Sequence, residues 1–320
     1  MRDVVVIGGG LSGLAACYEL EKHPIHYTLI EVKKRLGGSI VSTAAGGFIA
    51  DASAFAIAGI EDLPLFGELG LDQDRFEFEP GQFGFCGGTG SLTGALAQRL
   101  TGARLMRMAV SSIGRVDGRF TLCLENGLLL DAGAVIVAAP ARYAERMLFN
   151  LAPDLSDWLR GYDYDSIRRV SLGYHKRDLP RRRIRPYSVI YPFVFATDSP
   201  GRVPDADHLL LQVGVRASSD LSPGDLIAQV LSHYGCDENP LFAQVDRWNE
   251  SDPLSCYDDD HAATVSAIRA RLPEGISLIG SDYCLGPPQK RGVARIDERL
   301  RQGRAAARAA LDFLSSEKRS

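Results

Sequence analysis

The sequence predicts an α/β fold in which a doubly wound nucleotide-binding domain is interleaved with an α+β domain built on a mixed sheet. Three observations lead there. A continuous β-branched run, Val4-Val5-Val6-Ile7, enters a glycine-rich turn and then a stretch of helical spacing. A second apolar run, Tyr27-Thr28-Leu29-Ile30, closes on Glu31, about 20 residues past the turn. Far downstream, Ala134-Val135-Ile136-Val137 and Ile276-Ser277-Leu278-Ile279 have the composition of further buried strands, so the nucleotide-binding part is assembled from separated stretches.

The chain has 320 residues, above the ~250–300 at which a single core stops growing, so two intimate domains are expected. Residues 1–55, 89–142 and 255–320 are assigned to the nucleotide-binding domain, and 56–88 and 143–254 to a substrate domain. Apolar residues make up 45% and charged residues 24%, values of an ordinary globular protein. A net charge of −4 gives no electrostatic footprint for nucleic acid. The six cysteines form no Cys-x-x-Cys pair and no cluster with histidine, which points to reduced thiols rather than a disulfide framework or a metal site. Arg2-Asp3 lead straight into a strand, and no apolar run approaches the ~18 residues that span a bilayer. A cytoplasmic protein without stable membrane insertion is the expectation.

The first element carries the most specific signal. Gly8, Gly10 and Gly13 fit Gly-x-Gly-x-x-Gly, with Leu11 and Ser12 opening the helix that follows. The three glycines serve the tight turn, backbone approach to a pyrophosphate, and packing of helix on strand. The helix start adds free N–H groups and a positive dipole end. Glu31 then stands where a carboxylate accepts hydrogen bonds from a ribose. A glycine triplet alone is equally a tight turn without a ligand. The order strand, turn, helix, strand, acid is what makes it a dinucleotide site.

The continuation Glu31-Val32-Lys33-Lys34-Arg35-Leu36-Gly37-Gly38 resembles the flavin amine oxidase superfamily. Its second signature is an acid, three residues, arginine, one residue, then Gly-Gly; Ser39 stands where many members have another arginine. The resemblance implies an FAD-binding Rossmann-type domain holding non-covalent FAD, with Arg35 beside the diphosphate. It continues through residues 46–51, although Ser53 replaces a usual glycine, and through the helix entry Gly87-Gly88-Thr89-Gly90-Ser91-Leu92. By the same resemblance Val110 holds the adenine through its backbone. Asp282, reached after an intruding Ser281, bonds the ribityl or phosphate portion, and Gly292 precedes a helix aimed at the flavin pyrimidine ring. The helix-rich insertion of protoporphyrinogen oxidases is absent between residues 60 and 85. Compact, renalase-like members are the better match in size.

The substrate side is less legible. Alternation at Val170-Ser171-Leu172-Gly173-Tyr174 and runs at 187–193 and 208–213 read as strands. Tyr191, Trp248, Tyr257 and Tyr283 are candidates for an aromatic wall around a flat substrate, although strand aromatics are more often plain core. His261 fits local hydrogen bonding better than proton abstraction, and no side chain announces itself as an acid–base catalyst. The basic stretch 176–185 is either an anion-steering patch or a solvated loop. The expected activity is FAD-dependent oxidation of a small molecule, with hydride passing to flavin N5 and O₂ or another acceptor reoxidising the flavin. Two alternatives remain open: renalase-like oxidation of reduced nicotinamides, and a non-catalytic FAD-holding accessory protein.

Overall fold

A computed structural model describes residues 2–52, 57–58, 63–79, 82–178, 193–198, 200–216, 221–236, 238–253, 260–285 and 295–317. The chain starts with β1 (Arg2–Ile7), α1 (Leu11–Leu20) and β2 (Tyr27–Glu31). A hairpin of β3 (Ser42–Ala45) and β4 (Phe48–Asp51) follows, then β5 (Ile57–Ala58) and α2 (Leu63–Leu69). Strands β6 (Arg75–Glu79) and β7 (Gln82–Phe85) complete a small antiparallel sheet with β5. Helix α3 (Gly90–Gln98) leads to β8 (Ala103–Met106), and a meander of β9 (Val110–Val116), β10 (Arg119–Leu124) and β11 (Leu129–Val137) comes next.

The second half opens with α4 (Ala141–Leu148) and α5 (Pro153–Arg160), ahead of β12 (Tyr164–His175), β13 (Phe193–Asp198) and β14 (His208–Val215). Helix α6 (Pro223–Tyr234), β15 (Phe242–Pro253), α7 (His261–Ala270), β16 (Ile276–Leu278) and α8 (Ile296–Glu317) finish the chain.

Seven strands form the nucleotide-side sheet in the order β8-β2-β1-β11-β10-β9, with β16 also paired to β11. Pairing is parallel from β8 to β11 and on to β16, and antiparallel through β10 and β9. The center of this sheet is covered on both faces. Val4 and Val6 enter one core with α1, α3 and α8; Val5 and Ile7 enter the other with α4, α5 and α7. That two-sided burial is why β1 reads as an unbroken β-branched run rather than an alternating one.

The second sheet has the order β13-β14-β12-β15 and is antiparallel at every described pair, so parallel pairing is confined to the nucleotide-side sheet. Val170, Leu172 and Tyr174 on one face of β12 pack with Leu226, Val230 and Tyr234 of α6. The capping box of α6, Ser222 with Asp225, satisfies its first turn, and Gly235 closes it in the left-handed conformation at φ 65°. Of the basic stretch, Lys176, Arg177 and Asp178 form a short turn after β12; its remainder lies outside the described residues, as does the run at 187–192. Among the described residues, no helix is long and apolar enough to cross a membrane.

Candidate functional site

Strand β1 delivers the chain into the turn that β2 and β11 flank. A Cβ on Gly13 would lie 1.9 Å from the Gly8 carbonyl oxygen, so helix α1 seats on the turn only with glycine there. Gly10 differs. It is the N-cap of α1, and a Cβ on it would meet only the Gly38 Cα, at 3.8 Å. No side chain caps α1, and its first turn holds no acid. Its first amides therefore present partial positive charge to whatever lies beyond the turn. Among the described residues, the Ser12 hydroxyl is buried beside them without a hydrogen-bond partner. Burying an unsatisfied hydroxyl costs free energy, and a bound acceptor would recover it.

Glu31, buried at the end of β2, ties the second signature to this turn. Its Oε2 accepts from Gly9 N at 2.7 Å and its Oε1 from Lys33 N at 2.7 Å. Gly37 N donates to Gly9 O at 2.7 Å, which lays the Gly37-Gly38 corner directly against the first glycine turn. Gly38 has φ +63°, and a Cβ there would come within 2.9 Å of Gly10 Cα. Arg35 braces this loop from within, donating to the carbonyls of Gly38 at 2.8 Å, Leu36 at 3.2 Å and Ile40 at 3.4 Å. Lys33 Nζ reaches the same Gly38 carbonyl at 3.3 Å; Val32 is exposed and Ser39 half-buried at the rim. Val110 is buried at the start of β9, two residues past Met108, whose N donates to Glu31 O at 3.1 Å. The two signature segments, far apart as patterns, make one cradle.

Asp282 lies just beyond β16. Its carboxylate accepts from Ala141 N at 2.7 Å, from Ser281 Oγ at 3.1 Å and from the Tyr164 hydroxyl, so it caps the N-terminus of α4. Burial raises its pKa above the usual carboxylate range, and these donors work against the rise. Next to it, Tyr283 is 1% exposed, and its hydroxyl has no hydrogen-bond partner among the described residues. Trp248, 4% exposed, packs in the apolar core with Val4 and Phe66. Both aromatics are thus enclosed. Tyr191, Tyr257 and Gly292 lie outside the described residues.

His261 is buried with Nε2 at 2.9 Å from the Cys284 carbonyl oxygen, so the ring donates there and Nδ1 is left without a partner. Burial lowers its pKa and holds it neutral. Cys284 is buried, with its thiol 3.5 Å from Gly280 O and its pKa pushed far up by desolvation. That keeps the sulfur protonated and weakly nucleophilic.

Two groups of polar residues were not among the site residues expected from the sequence. Arg202 and Asp51 are an ion pair with each side chain 1% exposed. Asp51 also accepts from Thr89 N at 3.0 Å and from the hydroxyls of Thr89 and Ser42, while Arg202 Nε donates to Phe85 O at 2.8 Å. Asp51 ends the Gly-Gly-Phe-Ile-Ala-Asp stretch and so was detectable; Arg202, alone in a short turn, was not. The second group lines the four-stranded sheet on the side away from α6: Arg169, Ser171 and Gln212 are fully buried there, and Gln244 and Asp246 are half-buried. Alternation along β12 was its sequence signal.

Comparison with known proteins adds a family to this geometry. A family model described as flavin containing amine oxidoreductase matches residues 52–262, and one described as NAD(P)-binding Rossmann-like domain matches residues 6–68. Coproporphyrinogen III oxidase of Bacillus subtilis is 28% identical over 232 residues, covering 65% of this chain and 46% of that enzyme. Human protoporphyrinogen oxidase is 42% identical over 81 residues, covering 23% of this chain and 17% of its own length. The matched stretches thus span less than half of these relatives. Among solved structures, a protein from Exiguobacterium sp. 255-15 named for protoporphyrinogen oxidase superposes with a TM-score of 0.79 at 15% identity, covering 97% of this chain and 99% of its own. A putrescine oxidase bound to putrescine gives 0.71 at 14% identity, over 98% and 99%. At such identities the likeness is one of fold.

Proposed function

The chain belongs to the flavin containing amine oxidoreductase family, and from that membership we propose that it is an oxidoreductase holding FAD non-covalently in the glycine cradle. Its substrate is a small organic molecule that gives up hydride to flavin N5, and O₂ or another acceptor takes the electrons onward.

The observation that carries this reading is the close approach of Gly10 and Gly38, backbone to backbone, beside an uncapped helix start whose buried Ser12 hydroxyl has no hydrogen-bond partner among the described residues. A dinucleotide diphosphate fits that donor set: the amides at the start of α1 and Ser12 Oγ supply hydrogen bonds, and the helix dipole supplies charge. Glu31 keeps lone pairs on both oxygens for ribose hydroxyls while holding Gly9 and Lys33 in place. FAD itself, once bound, supplies the hydride-accepting chemistry.

The chain's own groups then do simpler work. Arg35 stiffens the loop that approaches the cofactor, and Asp282 anchors α4 against the strand ends. Cys284, sealed and protonated, does not offer the thiolate that a covalent flavin link needs, which supports non-covalent binding.

A second reading is oxidation of reduced nicotinamides at the same flavin, the renalase-like alternative that the sequence leaves open. Anaerobic mixing separates the two. Bleaching of the flavin absorbance by amines supports the first reading, and bleaching by NADH or NADPH supports the second. A flavin that only dithionite bleaches overturns both.

A further inference from the structure

Two histidines stand side by side where β12 ends and β14 begins. His175 and His208 are register partners on these antiparallel strands. One step outward, Lys176 N donates to Asp207 O at 2.7 Å, so by alternation the His175–His208 pair has no mutual backbone hydrogen bonds. Pairs of that kind bring their side chains closest. The two ring centroids are 4.3 Å apart, with the planes inclined at 38°. Phe48 of the β3–β4 hairpin packs edge-on against His208 at 5.7 Å. Both rings are still reached by solvent: the His208 side chain is 12% exposed, and His175 is half-buried.

A carboxylate orients one of the rings. His208 Nδ1 lies 2.6 Å from Asp205 Oδ1, and the same oxygen accepts from Asp207 N at 2.8 Å. The hydrogen bond with His208 holds the Asp205 carboxyl below the usual carboxylate range, so it is ionised. An ionised acceptor at Nδ1 fixes the ring proton there and leaves the lone pair of the neutral imidazole on Nε2. Among the described residues, the ring nitrogens of His175 have no hydrogen-bond partner. Metal-binding histidines are built this way, with a carboxylate behind one nitrogen and the other nitrogen offered to the ion. Two imidazoles bound side by side through nitrogens about 2.0–2.1 Å from one ion have ring centroids roughly 4–5 Å apart. The observed separation falls in that range. Among the described residues, no third His, Cys, Asp or Glu completes a ligand set. Water therefore fills the other positions of such an ion.

We propose that His175 and His208 together bind one divalent transition-metal ion, with Asp205 as the outer carboxylate that orients His208. Imidazole nitrogen selects Cu²⁺, Ni²⁺ and Zn²⁺ over Mg²⁺ and Ca²⁺, which prefer oxygen. The ion clips the end of β12 to the start of β14 and, through Asp205, to the turn ahead of β14. Its place is independent of the flavin reading above, and it takes no part in hydride transfer.

The test uses the full chain without affinity-tag histidines, its His175→Gln, His208→Gln and Asp205→Ala variants, and Zn²⁺ and Cu²⁺ as probes. Calorimetry should find one Zn²⁺ per wild-type chain. His175→Gln and His208→Gln should each lower Zn²⁺ affinity at least about tenfold, as should loss of the supporting carboxylate in Asp205→Ala. Zn²⁺ should raise the melting temperature of the wild type and leave that of His175→Gln unchanged, because an ion held only by the folded chain stabilises it. Paramagnetic resonance of Cu²⁺ on the wild type alone should show coupling to histidine nitrogen, a readout that needs no variant to fold. A Cu²⁺ spectrum without that coupling, no Zn²⁺ binding by the wild type, or unchanged Zn²⁺ affinity in any of the three variants overturns the proposal.

Discussion

Arg202 and Asp51, 151 residues apart in sequence, meet as an ion pair that is sealed from solvent and joins the turn before β14 to the β3–β4 hairpin. Removing only the cation leaves Asp51 buried against Thr89 and Ser42 with an uncompensated charge. Arg202→Met should therefore cost about 3–5 kcal/mol in urea unfolding. The double variant with Asp51→Asn should lose less than the sum of the two single changes. A loss under about 1 kcal/mol for Arg202→Met would mean that the pair does not hold the two parts together.

Gly10 and Gly13 separate cofactor space from packing. Gly10→Ala meets nothing nearer than 3.8 Å, so the folded chain should keep its thermal stability when stripped of flavin while taking up FAD far more weakly. Gly13→Ala drives a methyl into the Gly8 carbonyl and should lower the melting temperature of the stripped protein itself. Parallel melting and FAD titration of the two variants would show whether this division holds.

Ser12→Ala removes a buried hydroxyl that has no partner. Without flavin the variant should be as stable as the parent or slightly more so, and with FAD it should lose about 1 kcal/mol of binding, one hydrogen bond's worth. Unchanged FAD affinity would take Ser12 out of the cradle.

The pH dependence follows from His261. Burial lowers its pKa below the ordinary 6.5, so the unfolded chain binds a proton more readily than the folded one. Stability is then fully present above pH ~6.5 and declines as pH falls through that value toward the lower folded pKa. His261→Gln retains a donor toward Cys284 O but cannot titrate, so it should flatten this part of the stability–pH curve. Melting curves collected across that range decide the point.

The glycine turn and the strands around it were legible in the sequence because each of their parts is local. Glycine positions, a β-branched strand and a terminal acid are short-range patterns set by steric needs, and they recur in the structure as β1, α1 and β2. Where a side chain points was not legible. Asp282 was found by its neighbourhood, but only folding shows its carboxylate turned to Ala141 and Tyr164. Trp248 reads as either pocket wall or core, because burial of an indole depends on what the opposite domain brings to it. Arg202 carries no pattern at all, since its partners come from positions 51, 85 and 89.

Absorbance of the purified protein tests the central claim most directly. The account predicts a yellow protein with flavin bands, whose colour passes entirely to the supernatant on acid precipitation as about one FAD per chain. A colourless protein that takes up no FAD when the cofactor is supplied would contradict it, and colour retained in the pellet would contradict non-covalent binding.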